Sequence, residues 1–422
     1  MEQNVNEIKK GIKVHILNTD KFKTNLFAIF LTKKINRENV TKNALISLLL
    51  RRGSKTMNSQ EEISKKMEEL YGASFDCGID KTGDNQVLKF YIESINDNYL
   101  PNVNENTLKT IIESLLDIAF NPYIENEGFK QEYLEQEKNN LKRKIEAKKD
   151  NKARYAIERC TEEMYKDKPF GLYKFGYIED LDKIDGKNLY EYYKELINTC
   201  KIDIFLSGNI SKDVEKLIED NENVKSLKER TPDCVFPTNE EKEVKEENIV
   251  TEKMDVSQGK LVIGLDANLS NDKQKYFTLL YNSLLGGSAN SKLFQNVREK
   301  ANLAYVASSS YLRYKNIIFI NSGIEISNYE KALKLIKEQI EDMKQGKFTD
   351  EEIEDNKKGV ISAIKTIGDE QDTEVIYYFG QELTGVSVSV DDYVKIIENI
   401  KKEDILDIAN RVSINTIYFL RD

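Results

Sequence analysis

The stretch LLGGSANSKLFQNVREKANLAYV, residues 284–306, decides how this chain folds. Gly286 and Gly287 predict the end of a helix, because such glycines suit either a positive φ or a close approach of two backbones. A second helix, which carries Arg298, is predicted to follow them. A strand with Tyr305 comes next. These residues alone predict a helix–turn–helix–strand unit with a surface arginine and a half-buried tyrosine.

The same order of elements occurs in the first half of the chain. Leu50 ends one helical pattern, and Tyr71 lies 21 positions later, beyond a second helical pattern; from Leu285 to Tyr305 the step is 20 positions. The two halves also end alike, because 181–208 and 397–422 each contain an isoleucine-anchored turn, an amphipathic helix and a strand. A shared order of elements over this length indicates an internal duplication.

The duplication predicts the fold class and the domains. Strands that open and close each half, with several helices between them, favour a mostly antiparallel sheet with helices packed on one face. The prediction is therefore an α+β chain of two tandem homologous domains, 1–220 and 249–422. Residues 221–248 contain two prolines and the run EEKEVKEEN, which is typical of a polar linker.

Composition excludes several classes of function. The net charge is −10 and charges of both signs are mixed along the chain, which argues against a nucleic-acid surface. The longest apolar runs, 26–31 and 44–50, fall far short of the roughly 20 residues of a transmembrane helix. The N-terminal residues resemble no signal peptide, and the four cysteines are far apart. We expect a soluble cytoplasmic protein without nucleic-acid or membrane partners.

The chain has a single histidine, His15, in a strand-like segment. Catalytic zinc usually needs two or three imidazoles, and a serine or cysteine nucleophile needs one well-placed base. A lone strand histidine is more often structural than catalytic. No G-x-S-x-G turn is present either, so an independent serine or cysteine hydrolase is disfavoured.

The segment SKLFQNVREKANLAYVASS, residues 291–309, resembles the C-terminal-domain signature of insulinase/pitrilysin-type peptidases, the family of mitochondrial processing peptidase. The duplication resembles that family as well, so the resemblance covers nearly the whole chain and implies a clam-like pair of lobes. In this family an arginine and a tyrosine with six residues between them hold the substrate backbone. They match Arg298 and Tyr305. Gly286 and Gly287 would form the structural loop before them.

The resemblance also implies where a zinc motif should be. Active members carry H-x-x-E-H on a helix of the N-terminal domain. Counted back from Arg52, the corresponding residues are 44–48, with Ala44 and Leu48 at the histidine positions and Ser47 at the position of the general base. The third ligand should fall near Arg143–Lys144, where both side chains are basic. We therefore expect no metal in this chain and zinc in a partner subunit.

Together these observations predict a zinc-less subunit of a heterodimeric zinc metallopeptidase, which is not an enzyme on its own. It would pair with a zinc-bearing homologous subunit and contribute half of the cavity for a peptide or small protein. Strand addition to an exposed sheet edge is the expected binding mode. The alternative is a structural or scaffolding homologue with no role in proteolysis. A purely structural descendant would have no reason to retain Arg298 and Tyr305.

Overall fold

The computed structural model describes residues 3–100, 106–211, 213–237 and 246–422. Its strands are β1 (Gln3–Lys9), β2 (Ile12–Asn18), β3 (Thr24–Lys34), β4 (Ser74–Thr82), β5 (Asn85–Ile95), β6 (Ile124–Glu125), β7 (Gly128–Phe129), β8 (Lys201–Gly208), β9 (Asn248–Lys253), β10 (Gly259–Ala267), β11 (Ala304–Leu312), β12 (Ile317–Ile324) and β13 (Val412–Arg421).

Its α-helices are α1 (Val40–Leu49), α2 (Gln60–Glu69), α3 (Thr107–Phe120), α4 (Gln131–Glu146), α5 (Lys152–Met164), α6 (Ile178–Leu181), α7 (Gly186–Thr199), α8 (Val214–Asp220), α9 (Glu222–Ser226), α10 (Lys273–Asn282), α11 (Tyr329–Lys344), α12 (Asp350–Lys365), α13 (Gln371–Thr384), α14 (Val390–Glu398) and α15 (Lys402–Arg411). Two π-helical segments are π1 (Ser283–Gly287) and π2 (Leu293–Lys300). No described helix has the length and apolar character that a bilayer span requires.

The first compact unit is built on a six-stranded sheet in the order β1-β2-β8-β3-β5-β4. The pair β2 and β8 is parallel and the other neighbours are antiparallel. β3 is buried along most of its length because it lies in the middle of the sheet, and its apolar run forms the core. Helices α1, α3 and α7 pack against this sheet and bury their apolar sides there.

The second compact unit has a five-stranded sheet in the order β11-β12-β10-β13-β9. Read from the other end, this order matches β2-β8-β3-β5-β4 strand by strand. The parallel pair recurs as well, because β9 runs parallel to β13 as β2 does to β8. The predicted α+β chain with two similar domains is therefore confirmed.

The compact units are not continuous halves of the chain. Unit 1 comprises Met1–Glu146, Leu172–Val235 and Gln371–Phe379, and unit 2 comprises Ala147–Gly171, Phe236–Glu370 and Gly380–Asp422. Each half therefore donates one helical segment to the unit built mainly from the other half. This exchange has no counterpart in the linear boundaries predicted from the sequence.

The exchanged segments cover the sheet faces opposite the main helix layers. In unit 2, α5 packs on β10 and β13 and shares a buried cluster with Phe319 and Tyr418. In unit 1, the ring of Phe379 on α13 stacks on Phe30 with 4.1 Å between centroids. The predicted packing of helices on one face therefore holds for the main helix layer of each sheet. In addition, one helix covers the opposite face of each sheet.

The predicted polar linker, 221–248, is partly folded into unit 1. Val224 on α9 and Leu227 after it are buried among the apolar core of that unit. The backbone nitrogen of Arg230 donates to the carbonyl of Lys10 at 3.0 Å. These apolar contacts and this hydrogen bond attach part of the polar stretch to unit 1. Residues 238–245 of the predicted linker lie outside the described residues.

Candidate functional site

Arg298 lies on π2, which occupies the place of the predicted second helix. Leu293 and Val297 on the same segment are buried, whereas the Arg298 side chain is 44% exposed. Its guanidinium lies over the ring of Phe294, four residues earlier, at 4.7 Å from the centroid. Its ion pair is with the adjacent Glu299 at 3.4 Å. The aromatic stack leaves the donor fork of Arg298 facing solvent.

Tyr305 lies at the start of β11, in a β-bulge. Ala304 is opposite Ile324 and Val306 is opposite Gly323, so Tyr305 is the extra residue on its strand. Its side chain is 57% exposed. Bulges reorient a side chain locally, and this one places the phenol at the surface.

The strand that carries Tyr305 is an edge strand. Within the described ranges β11 pairs with β12 alone, so its other side offers unpaired backbone groups. Tyr305, Val306 and Leu312 on this strand are all exposed large hydrophobic side chains. An apolar edge strand is a site where an extended chain can add.

A short turn fixes π2 beside β11. The backbone nitrogen of Ala301 donates to the carbonyl of Asn296 at 3.2 Å, and that of Leu303 donates to the carbonyl of Val297 at 3.1 Å. Between them Asn302 has a φ of 51°, in the left-handed region that asparagine tolerates better than most residues. The turn therefore keeps the segment with Arg298 packed on the strand with Tyr305.

Gly286 is required because π1 packs directly on β11. A Cβ atom at this position would lie 2.6 Å from the backbone nitrogen of Ser309 and 2.7 Å from Leu293 Cδ1. At Gly287 the nearest atom, Asn282 Nδ2, would be 3.0 Å away. Of the two reasons predicted for these glycines, close backbone approach applies, since neither glycine is among the described residues with positive φ.

Polar side chains of α11 and α12 hold the two π-helical segments. Asn356 on α12 accepts hydrogen bonds from Ser283 at 2.7 Å and Ser288 at 3.0 Å. On α11, the buried Gln339 accepts a hydrogen bond from Asn296 of π2. The sequence analysis missed these contacts, because residues about 40 to 70 positions apart leave no local signal.

Lys292 and Glu352 add an ion pair at the start of π2. Lys292 Nζ is 2.7 Å from Glu352 Oε1. Burial raises the pKa of Glu352, but hydrogen bonds from Lys292 and the Thr349 backbone outweigh it and lower the pKa below its ordinary value. Glu352 also completes the capping box of α12 with Thr349. The carboxylate thus ties π2 to the first turn of α12.

The place of the zinc motif is the buried side of α1. Ala44 is fully buried, and the Ser47 hydroxyl donates to the Ala44 carbonyl at 2.8 Å, so it is occupied within its own helix. Cys77 on β4 donates its thiol hydrogen to the Ser47 carbonyl at 3.1 Å. Burial raises the pKa of this thiol well above its usual range, which keeps it protonated.

Residues at the third-ligand place are on α4, which packs against α1. Lys144 is exposed, with its Nζ 5.7 Å from the ring centroid of Phe175. Glu137 on the same helix is a buried carboxylate, but Arg52 donates a hydrogen bond to it. The methyl group of Ala44, the isobutyl group of Leu48 and the ammonium group of Lys144 cannot serve as zinc ligands. Elsewhere in the described ranges no group of three or more His, Cys, Asp or Glu could hold a metal ion.

His15 is part of a buried polar network in the sheet of unit 1. Its Nε2 lies 3.1 Å from Asp203 Oδ1, and its ring stacks on Phe205 with 4.1 Å between centroids. Lys201 forms an ion pair with the same carboxylate. Burial raises the pKa of Asp203, but Lys201 and His15 outweigh it and hold that pKa below its ordinary value. All three side chains are buried, as expected for a structural histidine.

Comparison with known families and proteins gives matches over the whole chain. A family model described as "Peptidase M16 inactive domain" matches residues 183–360. A Bacillus subtilis protein called "Probable inactive metalloprotease YmfF" is 33% identical over 422 residues, which cover 99% of this chain and 98% of that protein. An uncharacterized zinc protease of Rickettsia felis is 23% identical, with 97% and 94% covered.

Solved structures share the fold. A conserved protein from Enterococcus faecalis V583 superposes with a TM-score of 0.90 at 26% identity, with 100% of this chain and 99% of that chain covered. The structure called peptidase M16 inactive domain, from Pseudomonas fluorescens, superposes with a TM-score of 0.80 at 17% identity, with 100% and 98% covered. At 17% identity, the comparison with the Pseudomonas fluorescens structure shows only that the fold is shared.

Proposed function

Because this chain belongs to the insulinase-like peptidase family M16 as an inactive metalloprotease homologue, we propose that it is the zinc-less subunit of a heterodimeric zinc metallopeptidase. It contributes Arg298, Tyr305 and half of the peptide-binding cavity. A zinc-bearing homologous subunit supplies the metal and the general base. The expected location of this pair, in the cytoplasm, stays a prediction.

The observation that carries the proposal is the exposure of Arg298 and Tyr305 together. Among the described residues, the Arg298 side chain has its ring contact and its ion pair with Phe294 and Glu299 of its own segment, and Tyr305 projects from a bulge. An exposed aromatic on an edge strand is a liability for a protein without a ligand there. A binding role accounts for both residues.

The chemistry of the two groups suits an extended peptide. The guanidinium of Arg298 presents several donors in a fixed fork, which can bind a peptide carbonyl near the scissile bond. The phenol of Tyr305 can donate to the oxygen on which negative charge develops during peptide hydrolysis. Zinc bound to the partner would activate the attacking water. This chain's residues would orient the peptide and stabilise that oxygen.

Strand addition at β11 supports the same proposal. An extended peptide can pair its backbone with the open side of this strand, and such pairing tolerates many side chains. Val306 and Leu312 would supply apolar contacts along the strand. The ligand class that fits is therefore an unfolded peptide or a flexible segment of a small protein.

The test is reconstitution with a homologue from the same organism that contains an intact H-x-x-E-H. Neither chain alone should cleave a fluorogenic peptide, and the mixture should. Arg298→Ala and Tyr305→Phe in this chain should each raise the activation barrier by about 1–3 kcal/mol, the usual cost of losing one charged or oxyanion donor.

Two matched variants control for general effects. Arg154→Ala removes a similarly exposed arginine and Tyr99→Phe a similarly exposed tyrosine, both far from β11 in sequence, so neither should change the rate. Full activity of both test variants, with the complex intact, would reject the substrate-binding role. That result would favour the scaffolding alternative, in which the chain stabilises its partner without contacting peptide.

A further inference from the structure

The outer edge of β9 has no neighbouring strand among the residues that the structure describes. β9 lies at the end of the five-stranded sheet of unit 2, where it pairs with β13 alone. In the matching order of unit 1, the corresponding strand is β2, and its outer side pairs with β1, which runs antiparallel to it. The duplicated fold therefore shows in unit 1 what can cover this edge, namely one antiparallel strand.

A groove extends the uncovered surface from this edge to α11. It has a volume of about 850 Å³ and lies between α11, the start of β13 and the two residues before β9. Leu333, Ile340 and Ile414 line it, so part of its wall is apolar. In unit 1 the helix that corresponds to α11 is α3, since each follows the second strand of its hairpin, and α9 packs on α3. Unit 1 thus covers with its own residues two places that the described residues of unit 2 leave open.

The two faces of β9 are distinguished by their ion pairs. Glu247, just before the strand, lies 2.6 Å from Lys337 of α11, so the odd-numbered positions face α11. Glu252 lies 2.9 Å from Arg159 of α5, so the even-numbered positions face α5. Ile249, on the side of α11, is 59% exposed. An exposed isoleucine on an unpaired edge favours association with another strand.

We infer that β9 pairs with β9 of a second copy of this chain. Two identical edge strands related by a two-fold axis perpendicular to the sheet run antiparallel, which is also the direction of β1 on β2. Side chains directly opposite each other in such a pair lie on the same face of the sheet. The two residue numbers in each opposing pair must therefore add to an even number, so the possible registers differ by steps of two residues.

Charge selects one of these registers. When position 250 faces its own counterpart, Glu247 lies opposite Lys253 of the second copy at both ends of the pairing, and Ile249 lies opposite Thr251. The bond between Glu247 and Lys337 uses one carboxylate oxygen, Oε2, so the other oxygen can accept from Lys253. The dimer thus gains two ion pairs and places each exposed isoleucine against a second strand.

The neighbouring registers lack this match. A shift by two residues in one direction places Glu246 opposite Glu252, and like charges directly opposite each other are destabilising. A shift in the other direction places the apolar Ile249 opposite the charged Lys253. The register centred on position 250 is therefore the favoured one.

A dimer at β9 does not depend on the proposed function. β9 and β11 are opposite edges of one sheet, with three strands between them. Pairing at β9 therefore leaves the edge with Tyr305 open to peptide. Assembly is measured on this chain alone, without peptide or a zinc-bearing subunit, so its outcome is distinguishable from that of the reconstitution experiment.

Charge reversal tests the pairing with exposed residues only. Lys253→Glu places two carboxylates opposite each other at both ends of the pairing, and Glu247→Lys places two ammonium groups there. We expect the unaltered chain to dimerise in sedimentation-velocity ultracentrifugation, and each variant to raise the dissociation constant about tenfold or more. An equimolar mixture of the two variants should restore the dimer, because every pair between unlike chains then joins opposite charges.

Oxidative cross-linking tests the register. Val250→Cys should form a covalent dimer, because position 250 faces itself within the reach of a disulfide. Thr251→Cys should form much less of it, since position 251 faces position 249 and its own counterpart lies diagonally, about 7–8 Å away. The unaltered chain controls for the native cysteines. Equal cross-linking of the two variants would overturn the proposed pairing.

Lys395→Glu reverses an exposed lysine on α14 and should leave the dissociation constant unchanged. Circular dichroism verifies that each variant folds. Three results in the ultracentrifuge would each overturn the inference. They are an unaltered chain that stays monomeric at every concentration, a dimer that neither charge reversal weakens, and a mixture that associates no more tightly than its two components.

Discussion

Gly286 and Ser309 approach so closely that a Cβ atom on residue 286 would lie 2.6 Å from the backbone nitrogen of Ser309. Gly286→Ala should therefore force π1 away from β11 and destabilise the protein by about 1–3 kcal/mol, as overpacking of a tight site does. Urea unfolding followed by circular dichroism measures the change. The variant should also weaken peptide binding, because π1 supports the strand with Tyr305.

The matched control is Gly359→Ala in the middle of α12, where an added Cβ would meet no atom within 4 Å. Alanine is the better helix former, so this change should be neutral or stabilising by up to about 1 kcal/mol. Equal effects of the two substitutions would show that the contact between π1 and β11 is not tight.

The buried Asp203 carboxylate should contribute strongly to stability. Asp203→Asn removes the buried carboxylate that pairs with Lys201, and breaking such a buried ion pair typically costs about 3–5 kcal/mol. Replacing both members of the ion pair, as Lys201→Met with Asp203→Leu, should recover only part of this loss, because the buried His15 then loses its hydrogen bond to residue 203. Chemical denaturation at neutral pH measures all three proteins. If Asp203→Asn left the free energy of unfolding unchanged, that result would contradict the buried network.

The pH dependence follows from the direction of the Asp203 shift. The pKa of Asp203 is lower in the folded chain than its ordinary value of about 3.9. Its contribution is therefore complete above that ordinary pKa and is lost as the pH falls through the folded pKa. When the free energy of unfolding is plotted against pH, Asp203→Asn should therefore flatten the acidic part of the curve, its acid limb. The pKa of Asp392 on α14 is lowered too, by Lys395 and Ser389, but this carboxylate is fully exposed, so Asp392→Asn should change the acid limb much less than Asp203→Asn does.

The exchanged helix α5 makes a prediction about fragments. A fragment of residues 249–422 lacks α5, so Phe319 and Tyr418 lose the cover that buries them in the intact chain. This fragment should unfold without a cooperative transition. Addition of a synthetic peptide of residues 147–171 should restore one, because it supplies the missing apolar face.

The same peptide with Tyr155→Ser and Cys160→Ser controls for nonspecific effects, since both residues are buried on the contact side of α5. Cooperative unfolding of the fragment without any peptide would show that the linear domain boundaries are sufficient for folding.

The sequence could predict the duplication because similar elements recur in the same order. The helix with the zinc-motif positions and the strand with Tyr305 were placed correctly, as α1 and β11. Local periodicity specifies such elements well. It does not specify which sheet an amphipathic helix covers, and for that reason the exchange of α5 and the start of α13 was not foreseen.

The site was predictable only in part, for a related reason. The helical pattern through Leu293 and Val297 is compatible with either an α- or a π-helix, and contacts with Gln339 and Glu352 accompany the π form. Those partners are distant in sequence. Lys144 was recognised as the wrong residue for a metal, but its place on the same face of α4 as Glu137 and Leu141 became evident only from the burial of those two residues.

Metal content tests the central claim most directly. The purified chain, analysed by inductively coupled plasma mass spectrometry after exposure to zinc and desalting, should retain no stoichiometric zinc. A variant with Ala44→His, Ser47→Glu, Leu48→His and Lys144→Glu restores the expected donors and should retain one zinc ion per chain, which shows that the assay can detect the site. One tightly held zinc ion in the unaltered chain would contradict the account.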